Sequence, residues 1–128
     1  MYMLVSFLLL IIGIAMLVIW IADINNNPEI DFSKGFFKAR GKASGELFCF
    51  HIIGEVLTGI MLILSGIIIL YRTPEWMPCA YFSLGALFYT SLNSLGWAFA
   101  RKERKRYGIP ITAGLIISIF SFIILLLN

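Results

Sequence analysis

Four long apolar runs, residues 1–22, 47–71, 76–100 and 107–128, dominate the chain, and polar or charged residues gather between them. A hydrocarbon core of about 30 Å is crossed by about 20 helical residues rising about 1.5 Å each, so every run is long enough to span. The runs exceed the roughly 10-residue strands of a membrane barrel and lack their apolar/polar alternation. The pattern predicts an all-α fold: a polytopic membrane protein of four antiparallel transmembrane helices, with spans at about 2–22, 47–71, 76–100 and 108–127 in one domain, 1–128. Local chemistry marks two helix starts. Thr73-Pro74-Glu75 reads as an N-cap, a first-turn proline and an N-terminal acid, and Gly108-Ile109-Pro110 similarly opens the fourth helix.

Composition agrees, with 60% hydrophobic and 13% charged residues, where ordinary soluble domains carry roughly 25% charge. A soluble globular fold is excluded. Of ten basic and seven acidic residues, Glu55 alone lies well inside a run. The connection between the first two runs holds Lys34, Lys38, Arg40 and Lys42, and that between the last two holds Arg101, Lys102, Arg104, Lys105 and Arg106. Only Arg72 falls on the opposite side. The positive-inside rule then places residues 23–46 and 101–106 in the cytoplasm, with both termini outside the cell membrane. Tyr71, Trp76 and Tyr81 would mark the outer interface, and Trp20, Trp97 and Tyr107 the inner one. The same bias explains a pI near 9.0 without nucleic acid as a partner. The first run has no basic residue at its start and no small-x-small motif before Asp23, so it reads as a mature span rather than a secretory signal.

Residues 23–46 mix Phe32, Phe36 and Phe37 with bases. They suit either a segment lying in the headgroup layer of the bilayer or a solvated loop whose glycines weaken a helix.

The polar residues inside the runs carry the candidate chemistry. In helix two, His51, Glu55, Thr58 and Ser65 follow one another at intervals of 4, 3 and 7, which places them on one face. In helix three, Ser83, Ala86, Thr90, Asn93 and Trp97 form a second small or polar stripe. In antiparallel helices Glu55 would lie about 12 Å deep near Asn93, Thr58 would meet Thr90 with Tyr89 beside it, and His51 would sit at the level of Trp97. The expected ligand-binding set is Glu55, His51, Asn93, Thr90, Thr58 and Tyr89, with Met16, Trp20, Thr112 and Ser118 at the same level on helices one and four.

An ionised carboxylate facing lipid costs several kcal/mol or more, so Glu55 must face the bundle. A neighbouring histidine suits it to proton exchange or cation binding. The competing reading makes these residues interhelical hydrogen-bonding glue. Gly54-x-x-x-Thr58, Ala86-x-x-x-Thr90-x-x-x-Ser94 and Gly114-x-x-x-Ser118 read as small-residue helix contacts.

Other chemistry finds little support. His51 is the single histidine, Cys49 points roughly 200° away from it on the helix, and a zinc site usually takes three or four protein ligands, so no metal is expected. A bis-histidine haem would need a second chain, and no cofactor is expected. Cys49 and Cys79 fall near opposite faces and are too far apart to pair. No nucleophile has a base and orienter at recognisable spacing, so the chain leans away from being an enzyme. The functional expectation is binding or transport of a small solute or proton through an intramembrane polar pocket. Its alternative is a non-catalytic accessory or scaffold subunit of a membrane complex. Partners beyond the lipid bilayer would be a second copy of the chain or a membrane partner subunit.

Overall fold

A computed structural model describes residues 2–26, 45–99 and 102–127. The chain is an all-α bundle of four helices: α1 (Tyr2–Asn26), α2 (Gly45–Tyr71), α3 (Trp76–Phe99) and α4 (Gly108–Leu126), with a 3₁₀ turn over Lys102–Tyr107 before α4. The stretch that holds Phe32, Phe36, Phe37 and their neighbouring bases lies outside the described residues, as does Arg101. Three stretches, Tyr2–Asn25, Phe50–Tyr71 and Gly108–Leu126, are long and apolar enough to cross a membrane. The α3 helix has comparable length, 24 residues, but is more polar, because it carries Ser83, Thr90, Ser91 and Ser94 on its buried side.

Helix ends follow from backbone bonding. Two bonds close α2, Arg72 N–H to Ile69 O (3.1 Å) and Thr73 N–H to Ile68 O (3.4 Å). They form the Schellman pattern, with Arg72 in the left-handed position usually given to glycine (φ 51°). Thr73 O accepts the Trp76 N–H (3.1 Å), so Thr73-Pro74-Glu75 forms a turn and α3 starts at Trp76, two residues later than the proline suggests. In α4, Pro110 sits inside the first turn, where its missing N–H has no helical partner to lose. The α1 helix continues one turn past residue 22, which brings Asp23 onto helix.

Neighbours in sequence pack antiparallel. From one end to the other, α1 meets α2 at Ser6 with Gly66, Gly13 with Gly59, and Trp20 with Glu55. The α3 helix meets α2 at Cys79 with Ser65 and at Ser94 with Glu55, and meets α4 at Tyr81 with Leu125 and at Ser91 with Gly114. The α1–α2 contact is the tightest. A Cβ built on Gly13 would lie 2.7 Å from Gly59 O, and one on Gly66 would lie 2.7 Å from Leu10 Cγ. Only glycine lets the two backbones approach so closely. Gly54, by contrast, has nothing within 4 Å of such a Cβ, so the expected Gly54–Thr58 helix contact is replaced by one through Gly59 and Gly66.

Val5, Leu9, Leu62, Ile69, Ala80, Leu84, Leu87, Ile124 and Leu125 form the apolar core, and they draw on all four helices. This core fills the half of the bundle that holds the α2–α3 turn. In the other half a cavity opens that is lined mainly by α1 and α4.

Candidate functional site

The site lies in the half that holds the C-terminal end of α1. Three helices each deliver one part of it. The α2 helix places His51 and Glu55 one turn apart on its inner face, with His51 Nε2 4.0 Å from Glu55 Oε1. The α3 helix brings Asn93, Ser94 and Trp97. The α1 helix brings Trp20, which is 8% exposed, and Asp23.

Glu55, only 5% exposed, is held from two sides. The Ser94 hydroxyl donates to its Oε1, and the Trp20 indole N–H points to its Oε2 at 3.4 Å. His51 bridges two α3 residues, with its Nδ1 3.1 Å from Asn93 Nδ2 and its Nε2 3.3 Å from Ser94 Oγ. An amide nitrogen can only donate, so Nδ1 accepts and the ring proton sits on Nε2, from which it donates to Ser94 Oγ. The hydroxyl in turn donates to the carboxylate. The result is a directed chain from imidazole through serine to glutamate, linking two titratable groups through one hydroxyl.

Aromatic rings surround this chain. His51 stacks on Trp97 (centroids 5.9 Å, planes 29° apart), and Trp20 meets His51 edge-on at 5.5 Å. Trp97 lies 6.2 Å from Trp20 and 5.7 Å from Tyr107. The Tyr107 hydroxyl donates to Asp23 Oδ1 at 2.6 Å, joining the 3₁₀ turn to the end of α1. Trp20, Trp97, Tyr107, Asp23 and Glu55 all line one cavity of about 240 Å³ that continues along the apolar sides of α1 and α4.

Of the residues expected from sequence, the structure brings Glu55, His51 and Asn93 together, but with different pairings: the amide bonds the histidine, and Ser94 bonds the carboxylate. Thr58 and Thr90 are buried, and their hydroxyls donate along their own helices, to Gly54 O (2.7 Å) and Leu87 O (3.3 Å). Tyr89 is 70% exposed on the outside of the bundle and does not join the group. Ser118 is buried and donates to Leu115 O, also within its own helix.

The shift from Asn93 to Ser94 has a simple origin. The buried stripe of α3 runs through Ala80, Ser83, Leu84, Leu87, Thr90, Ser91, Ser94 and Ala98. That stripe is turned about 100°, one residue's rotation, from one drawn through Ala86, Asn93 and Trp97. Sequence reasoning assigned Ser94 to helix contacts and Tyr107 to an interfacial belt, whereas Trp97, read both in that belt and on the polar stripe, does meet His51. The usable signal was the 4, 3, 4 spacing of Leu87, Ser91, Ser94 and Ala98, all small or apolar residues.

The family model described as "Domain of unknown function (DUF8058)" matches residues 1–128. The chain belongs to this family. No curated protein and no solved structure matches it.

Proposed function

We propose that this chain is an integral membrane protein that binds or moves a small solute, with protons as co-substrate, at Glu55. All four helices span, residues 23–46 and 101–106 face the cytoplasm of the cell, and both termini lie outside, following the charge bias. One observation carries the functional reading: a carboxylate is buried among apolar helices and lines a cavity, although an asparagine or glutamine could tie the helices together without its desolvation cost. His51 and Ser94 give that carboxylate a route for proton exchange, and Asn93 holds the imidazole. Thr58 and Thr90 shape the helix faces beside it.

A second reading is favoured by the same bonds. Trp20, Glu55, Ser94, His51 and Asn93 tie α1, α2 and α3 together, as an accessory or scaffold subunit of a membrane complex would require.

Glu55→Gln separates the two, because glutamine keeps the size of the side chain and one oxygen that accepts from Ser94 or Trp20, but cannot ionise. In the solute-binding reading the variant stays folded in detergent, loses pH-dependent solute uptake into vesicles, and binds at least about tenfold more weakly. The titratable groups around the site, His51 from α2, Asp23 from α1 and Tyr107 from the 3₁₀ turn, remain in place. If the variant lowers thermal stability and leaves uptake unchanged, the scaffold reading holds instead.

A further inference from the structure

The cavity combines two features that select a ligand class. Its polar end is walled by three aromatic side chains, Trp20, Trp97 and Tyr107, and by two carboxylates, Asp23 and Glu55. Among the described residues that line it there is no Lys or Arg. Aromatic faces attract cations through their quadrupole, and carboxylates in a low-dielectric setting reinforce that attraction while repelling anions. Asp23 and Glu55 each engage hydroxyl or indole donors already, yet an ionised carboxylate has about four acceptor positions, so both retain capacity for a cation.

The rest of the cavity is hydrocarbon. Ile12, Ala15 and Ile19 of α1 and Ile111, Ala113 and Ile117 of α4 form its walls. At its rim Ile11 and Ile19 are exposed on the flank of the bundle, so the cavity opens sideways between α1 and α4. From Ile11 to Asp23 the α1 side extends about 18 Å at about 1.5 Å per residue. In a bilayer this mouth faces acyl chains rather than water.

We propose that the cavity takes a lipophilic organic cation, an alkylammonium with its charged head among Trp20, Trp97, Tyr107, Asp23 and Glu55 and its chain along the α1–α4 seam. The assignment rests on the solute-binding reading above and specifies its ligand. Access is lateral, from the membrane. The volume of about 240 Å³ suits a small head and a short chain, below the roughly 300–1,000 Å³ of drug-sized pockets.

The test compares three amphiphiles with one tail: octyltrimethylammonium, octanol and octyl sulfate. Each is titrated calorimetrically into the full chain in phosphatidylcholine nanodiscs, with empty discs as the blank. The expected result is binding of octyltrimethylammonium about tenfold tighter than octanol, with octyl sulfate weakest. Asp23→Asn should weaken the ammonium at least about threefold and leave octanol unchanged. If octanol or octyl sulfate binds as tightly as the ammonium, the cation assignment is overturned while solute binding stands. If none of the three binds above the blank, both fall. The wild-type comparison holds even if a variant does not fold.

Discussion

The two halves of the bundle spend their buried residues differently. Toward the α2–α3 turn, Val5, Leu9, Leu62, Ile69, Leu84 and Leu125 fill the centre, and hydroxyls such as those of Ser6 and Ser65 are discharged onto backbone carbonyls of a neighbouring helix (Gly66 O at 2.6 Å, Cys79 O at 3.0 Å). Toward the other end the buried polar groups bond one another, side chain to side chain, around a space that remains open. The difference teaches where stability and function sit. A hydroxyl on a carbonyl is a local contact that ends there. A hydroxyl between an imidazole and a carboxylate connects two groups that can each gain or lose a proton.

The sharpest way to break this contrast is to disturb the closed half. Gly13→Ala drives a methyl group onto Gly59 O and Ile63, both too near to be accommodated without separating α1 from α2. We expect a loss of about 2–3 kcal/mol, read as a lower unfolding midpoint in a detergent titration. An unchanged midpoint would mean that the two helices are not in such close contact. The glycine comparison can be sharpened with Gly54→Ala, where a Cβ meets nothing. That change should leave stability unaltered or raise it by about 0.5–1 kcal/mol through helix propensity, and a loss would place an unseen neighbour at this position. The smallest effect is the most informative. Ser6→Ala removes one interhelical hydrogen bond and Ser94→Ala removes two, to His51 and Glu55, each bond being worth about 0.6 kcal/mol. Octyltrimethylammonium affinity should fall only in the Ser94 variant, and equal binding by both would erase the functional distinction between the halves.

Much of the fold was legible because the bilayer imposes a length and a polarity that the chain must meet. The four runs, their antiparallel order and the inward turn of Glu55 all follow from that constraint. Glu55, His51 and Asn93 were found because polar residues are costly among apolar ones and so stand out. The pairings were harder to read. Helical periodicity gives a face only to within a residue, and α3 has hydroxyls at Thr90, Ser91 and Ser94 next to the amide of Asn93, so rotation by one position keeps the stripe polar. Trp20 and Tyr107 were legible by depth but not by direction, because an aromatic ring at a membrane interface can face lipid or protein equally well. Asp23 was hidden for another reason. It closes an apolar run and reads as the first loop residue, whereas α1 carries it one turn further on helix and within reach of Tyr107.

The phenol–carboxylate bond between Tyr107 and Asp23 gives the α1–α4 seam unequal compliance along its length. Near Val5, Leu9, Ile124 and Leu125 the seam is clasped by interlocked hydrocarbon, and many contacts would have to part together there. At the opposite extremity the Tyr107 hydroxyl donates to Asp23 across 2.6 Å. Removing that hydrogen bond, as in Tyr107→Phe, should loosen the seam beside the carboxylates before it loosens the hydrocarbon end, as a pair of tongs opens away from its pivot.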